Sequence, residues 1–508
     1  MATESLRADT RTPANGITTL QALRSPRLLT REALAGLVVA IALIPEAIAF
    51  SIIAGVDPRV GLFSSFVMAV AIAFLGGRPA MITAATGAIA LVIAPVAREH
   101  GIDYFIATVI LGGLIQVVLA VLGVAKLMRF IPRSVMVGFV NALAILIFTS
   151  QFPQLFGDSI PWLVYPLVAI GLVIMFVMPR FTKVVPAPLV AIVLLTAAVI
   201  VFAWNVPNVG DQGELPRSLP SLFFPQVPFT LETLQIIAPN ALAMAVVGLL
   251  ESLMTAKLVD DITDTHSRKT REAWGQGVAN VLSGAFGGMG GCAMIGQTMI
   301  NVKASGARTR ISTFLAGVFV LILVVALGDI VALIPMAALV AVMIVVAIAT
   351  FDWHSIRPST LKRMPKSETL VMVVTVIATV WTHNLAVGVI LGVLAAMVLF
   401  ARRIAHFVSV TRRIDDTASV PTVSYTVDGE LFFASSNDLT TQFDYAGDPN
   451  RVVIDMSRSH IWDASTVAAL DAIVTKYEHH GKRVVLEGMN DATTQFHGRL
   501  SGGLGNGH

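Results

Sequence analysis

The chain has 508 residues, of which 55% are hydrophobic and 13% charged, with a formal net charge of +3 and a mean hydropathy of +0.78. A soluble domain carries roughly 25% charged residues, so the composition excludes an ordinary soluble protein and points to an integral membrane protein. The small net charge gives no reason to expect a nucleic-acid partner, and one cysteine, Cys292, excludes an intramolecular disulfide.

Residues 1–31 form a polar tail with five arginines, too long and dispersed for the basic region of a signal peptide. They are expected to be cytosolic, with an amphipathic part lying on the membrane surface. Apolar segments follow at 32–55, 58–76, 80–97, 102–124, 130–151, 160–178 and 184–204, then, after a longer polar loop, at 234–256, 272–290, 293–303, 311–332, 334–351, 367–382 and 384–401. These fourteen segments predict a transmembrane domain over 32–404. With the N-terminus in the cytosol, the basic residues crowd the inner segments, whereas the outer loops hold only Arg59, Arg98 and Arg217. This asymmetry predicts both termini in the cytoplasm of a multi-pass cell-membrane protein, with 205–230 facing outward.

After Arg403 the composition changes, and 415–501 reads as a small α/β domain. "SVPTVSYTVDGELFFAS" contains two strand-like runs around Asp428-Gly429, and "RVVIDMS" and "KRVVLEGM" read as further strands. "STVAALDAIVTKYEHHG" has helical periodicity and ends at Gly481, a C-cap residue type. The tail 502–508 is expected to be disordered.

Fourteen spans divide into seven and seven, with repeat one at 32–204 and repeat two at 234–404. An odd number per half inverts the second half, an arrangement with the binding site at the repeat interface. Spans 1 and 8 each carry a carboxylate near mid-membrane, Glu46 and Glu251. Spans 3 and 10 are short and open "AMITAATGAIAL" and "AMIGQTMINV", pairing Thr86 with Thr298. Short helices that start at mid-membrane present unpaired N–H groups and about half a positive charge, an anion site without lysine or arginine. The substrate-binding candidates are therefore Ala85, Thr86, Gly87, Ile295, Gly296, Gln297 and Thr298. Small residues in membrane helices also mediate plain packing, but the matched pair favours a ligand.

A carboxyl at membrane depth is a functional candidate. Pro45 frees a backbone carbonyl and can kink the helix beside Glu46. Desolvation favours the neutral carboxyl, so Glu46 and Glu251 are read as proton-coupling groups, Glu251 more firmly than Glu46. Thr255, one turn after Glu251, offers a second oxygen for Na⁺ as the alternative coupling ion. No other metal site and no cofactor are expected.

"GLVVAIALIPEAIAFSIIAGVDPRVGLFSS", "GLLESLMTAKLVDD" and "GGCAMIGQTMINVKASGARTR" make residues 32–404 resemble the SulP (sulfate permease) family, and "DASTVAALD" makes 415–501 resemble its STAS domain. The resemblance implies a seven-plus-seven inverted repeat, a core domain moving against a gate domain in an elevator-like cycle, and a homodimer. It implies an anion between spans 3 and 10 and cation coupling at Glu251. Relatives with aspartate there are associated with sodium-dependent bicarbonate uptake, and glutamate leans towards protons. Animal relatives place a basic residue where this chain has Gln297 or Thr298, a departure that argues against channel-like conduction. STAS domains resemble anti-sigma-factor antagonists with a regulatory Asp-x-Ser serine, here Ser465 after Asp463-Ala464, and so point to a cytosolic regulator as a partner. Helix capping is the stronger reading of that motif.

No catalytic constellation, Walker motif or dinucleotide fingerprint is present, so an enzyme is not expected. The leading expectation is a proton-coupled symporter of sulfate or a related small anion, such as bicarbonate or a dicarboxylate. The alternatives are a sodium-coupled bicarbonate symporter and an uncoupled channel or exchanger.

Overall fold

A computed structural model describes residues 18–126, 131–157, 160–181, 186–405, 408–415 and 420–501. The first part of the N-terminal tail and the 502–508 tail lie outside the described residues. The chain divides into two compact units, 1–393 and 394–508.

The first unit is helical. In order it contains α1 (Thr19–Arg24), α2 (Pro26–Ala54), α3 (Pro58–Leu75), the short strand β1 (Thr83–Ala85), α4 (Gly87–Val121), α5 (Arg133–Thr149), α6 (Phe152–Phe156), α7 (Val164–Phe181) and α8 (Ala187–Val201). The second half repeats the order: α9 (Leu231–Thr263), α10 (Lys269–Ala285), strand β2 (Gly291–Ala293), α11 (Ile295–Met299), α12 (Arg310–Ala332), α13 (Met336–Thr350), α14 (Pro358–Arg363), α15 (Lys366–Thr382) and α16 (Leu385–Ala405), whose later residues fall in the second unit. Proline at the first position starts both α2 and α3, where its missing N–H costs no hydrogen bond. Gly55, with φ +78°, ends α2 in the left-handed region. Helix α2 begins at Pro26, inside the stretch read as tail.

Among the described residues, eight helices are long and apolar enough to cross a membrane, and Ala187–Val201 and Met336–Thr350 are shorter apolar helices. One of the eight, α4, is 35 residues long and breaks at Gly101 (φ +82°), so it covers two of the expected spans. The 17-residue α10 and α15 and the short α11 cover the remaining expected spans 9, 13 and 10.

The helices form two packing groups. In one, α2, α3, α4, α9, α10 and α12 pack together around β1, β2 and α11; in the other, α5, α7, α8, α13 and α15 pack together. Helix α16 joins the second group through Gly388 and Gly392, which sit on Thr379 and Thr375 of α15. The grouping takes the first four expected spans of each half into one group and the last three into the other. Where α4 crosses α10, a Cβ on Gly113 would stand 2.7 Å from the Gly277 carbonyl, and one on Gly277 would stand 2.7 Å from the Gly113 carbonyl. Only paired glycines permit that backbone approach.

The second unit is a four-stranded sheet in the order β3–β4–β5–β6: Ser409–Asp415, Thr422–Leu431, Arg451–Ile461 and Arg483–Glu487. The β3–β4 pair is antiparallel, and β4–β5 and β5–β6 are parallel. Helices α17 (Phe433–Leu439), α18 (Ala464–His479) and α19 (Asp491–Leu500) complete it. Tyr425, Ile454, Leu470 and Tyr477 are among its fully buried side chains. Asp428-Gly429 does not separate two strands. It lies inside β4, where a bulge between Thr426 and Asp428 absorbs the irregularity and Gly429 takes φ +118°. Gly481 follows α18 with φ +70°, as a C-cap requires.

Candidate functional site

The site is built on the two short strands. β1 and β2 pair antiparallel, with Thr83 opposite Ala293, Ala84 opposite Cys292 and Ala85 opposite Gly291. Each strand leads, through one capping residue, into a helix start. Thr86 precedes α4 and Met294 precedes α11. Neither helix has a side-chain cap, so the first-turn N–H groups of both remain open to a ligand. Helix α11 continues as a π-turn at Ile300–Ala304, a distortion frequent at functional sites.

Buried polar groups hold the strands in place. Asn280 of α10 accepts from the Gly291 amide (2.8 Å) and donates to the Gly291 carbonyl (3.1 Å) and to Gln116 Oε1 (2.9 Å). Ser252 Oγ accepts from the Ala293 amide at 3.1 Å. On the β1 side, Glu272 accepts from the Gly77 and Arg78 amides at 2.7 and 3.0 Å. Arg78 pairs with the buried Asp260 at 3.0 Å. Each group satisfies a backbone or charge that would be costly if left unpaired.

One cavity of about 350 Å³ collects the predicted groups. Thr86, Gly87 and Ala88 line it from the start of α4, and Ile295, Gly296 and Gln297 from the start of α11. Glu46 of α2 and Glu251 of α9 both open onto it. Its opposite wall is Phe139, Val140, Leu143 and Ile147 of α5 and Val346, Ala349 and Thr350 of α13. None of these lining residues is basic. A Cβ on Gly296 would meet nothing within 4 Å, whereas one on Gly87 would stand 2.8 Å from Phe50 Cε1.

Hydrogen bonds link the parts. Cys292 Sγ donates to Glu251 Oε2 at 2.9 Å and lies 3.1 Å from Thr86 Oγ1. The Gln297 side chain neighbours the Glu46 carboxyl. Both glutamates are therefore tied to the β2–α11 junction, and Cys292 links Glu251 onward to Thr86 at the β1–α4 junction. Pro45 lies inside α2 and takes the hydrogen bond away from the Ile41 carbonyl beside Glu46.

Three predicted residues lie elsewhere. Ala85 is buried in β1. Thr298 faces away from the cavity, because its hydroxyl accepts from the Ile82 amide at 3.0 Å. Thr255 donates to the Glu251 backbone carbonyl at 2.8 Å and does not line the cavity. The Ala-Met-Ile match between the two halves misaligns them: Thr86 occupies the helix-capping place that Met294 holds in the second half. The α5 and α13 wall and Cys292 are absent from the sequence-based set. The repeat itself contains the signal for the wall, since α5 and α13 are the fifth spans of the two halves.

In the second unit, Asp463 caps α18 by accepting from the Thr466 amide at 3.0 Å, so capping accounts for that residue. Ser465 is exposed in the first turn of α18.

Many apolar helices around two helix starts that face one cavity, followed by a separate α/β unit, define a polytopic membrane transport protein with an appended α/β domain. The chain belongs to the sulfate permease family: that family's model matches residues 29–163 and 158–375, and the STAS domain model matches 411–497. It is 51% identical over 465 residues to YbaR of Bacillus subtilis, covering 92% of this chain and 95% of that protein, whose name gives sulfate transport as a provisional assignment. It is 26% identical to the bicarbonate transporter BicA of Picosynechococcus, over 86% of this chain and 85% of that one. The murine Solute Carrier 26 family member A9 anion transporter, solved in an inward-facing state, shares the fold with a TM-score of 0.80 at 18% identity, over 94% of this chain and 88% of the other.

Proposed function

We propose that the chain is a secondary active transporter that carries sulfate or a related small anion together with a proton. The observation that carries this reading is the single cavity lined by two uncapped helix starts and two carboxylic acids, with no basic side chain among its lining residues. The N–H groups attract the anion. A proton on Glu251 or Glu46 removes a repulsive charge beside it, so proton and anion favour each other, and by linkage the favour is reciprocal. Similarity to a transporter named for sulfate and to one named for bicarbonate supports an inorganic oxyanion as cargo and a transporter over an enzyme. The cavity lies where the two helix groups meet, which supports an elevator-like movement of one group against the other. We further infer cytosolic termini, from the basic-residue asymmetry, and a homodimer with a regulatory STAS unit, from the family.

The likeness to a bicarbonate transporter favours bicarbonate as cargo in one second reading, in which Glu251 and Thr255 would take sodium as the coupling ion. Thr255 lies outside the cavity that Glu251 lines, which supports the proton instead. Uptake by purified protein in liposomes, with labelled sulfate, bicarbonate and fumarate under imposed proton or sodium gradients, tests both. Sulfate accumulation driven by an inward proton gradient is expected. Bicarbonate accumulation that follows sodium alone would replace this reading with the second.

A further inference from the structure

A second cavity of about 340 Å³ lies between the same two helix groups. The two cavities are stacked along shared helices. Helix α2 gives Glu46 and Phe50 to the first and Ala49 and Ile53 to the second, and α5 gives Leu143 and Ile147 to the first and Leu146 and Thr149 to the second. Phe50 and Ile147 both close on Gly87 and form an apolar barrier at the first turn of α4. The second cavity lies towards the C-terminal end of α2 and the α15–α16 turn, the face inferred to be extracellular.

Its walls are largely apolar, and its polar groups include basic ones where those of the first include acids: Arg98, His383, Gln151 and Gln154 stand beside Thr149 and Ser150. Arg98 donates through Nη2 to the Ile53 carbonyl at 3.1 Å. Among the described residues no carboxylate pairs with it. One of its five N–H donors is used, and the rest of the planar fork suits an oxyanion.

We propose that this cavity is an outer vestibule in which Arg98 binds the incoming oxyanion before it passes Phe50 and Ile147 to the inner cavity. The proposal rests on the anion-transport reading. Low-dielectric walls strengthen the attraction of the guanidinium for an anion. The inner cavity then takes the anion with backbone N–H groups alone, so the bound ion exchanges one set of donors for another. The competing role for Arg98 is structural, as a cation at the C-terminal end of α2.

Sided transport separates the two roles. In oriented proteoliposomes with labelled sulfate, Arg98→Gln should raise the external half-saturating concentration about tenfold, the loss of one charge-assisted contact. Half-saturation from the inner face and thermal stability should stay at wild-type values, and Arg98→Lys should fall between. Gln154→Glu places a repelling charge in the same cavity without touching the Ile53 carbonyl, and should weaken external uptake independently. An unchanged external half-saturation in both Arg98→Gln and Gln154→Glu would overturn the vestibule. So would equal losses at both faces. A wild-type protein that carries no anion would refute transport itself, a separate failure from these.

Discussion

Gly296 stands at the start of α11 with open space where a Cβ would be. Gly296→Val should therefore fold, since the added methyls enter the cavity and not a neighbour. It should lose anion uptake at least tenfold, because the valine fills the space through which a ligand reaches the first-turn N–H groups. Monodispersity and uptake measured on the same preparation check this, and normal uptake would move the ligand elsewhere. Asp448 of the second unit is a different kind of buried carboxylate. It accepts from Arg412 (2.6 Å), Tyr425 (2.7 Å) and Tyr477 (2.6 Å). Burial alone would push its carboxyl up, but the Tyr477, Tyr425 and Arg412 hydrogen bonds outweigh burial and hold it below the ordinary value. A depressed carboxyl stabilises the fold above the unfolded-state value and loses that contribution as pH falls through the folded one. The unit should hence be fully stabilised at neutral pH and weaken below about pH 4. Asp448→Asn should cost about 2 kcal/mol or more at pH 7 and flatten this acid dependence, as read by thermal unfolding of the full chain.

At the scale of elements, the antiparallel β1–β2 ribbon sets both helix starts, and Asn280 is its main clamp. Asn280→Leu would leave the Gly291 N–H and carbonyl buried without that partner. A loss of roughly 2–3 kcal/mol is expected, together with weaker anion binding. A thermal shift assay with and without sulfate measures both, and unchanged stability would show that the ribbon holds itself. The hydrophobic pattern and the matched glutamates made α2, α9 and the helix starts legible, because burial of a carboxylate in an apolar run is visible in one dimension. The exact correspondence of spans 3 and 10 was not legible. Ala-Met-Ile recurs at 80–82, before β1, and at 293–295, starting on the last residue of β2, and only the strand pairing shows that Thr86 answers to Met294. Likewise, the bulge that keeps Asp428-Gly429 inside β4 depends on its neighbour β5, which no local pattern encodes. The role of Cys292, between Thr86 and Glu251, is a purely tertiary fact.

At the scale of the molecule, the cavity residues belong to the first compact unit and the STAS match to the second. Removal of residues 410–508 should leave anion binding in protein that remains monodisperse, and complete loss in a folded truncation would make the second unit part of the permeation machinery. The central claim is that Glu251 carries the coupling proton beside the anion. Glu251→Gln fixes the neutral form, and glutamine can still accept from Cys292. The most direct test is sulfate uptake against external pH in wild-type and Glu251→Gln proteoliposomes. The account predicts wild-type uptake that rises as external pH falls, and a mutant that binds anion yet shows a flat pH profile and no response to a proton gradient. A mutant that keeps the wild-type pH dependence would contradict it.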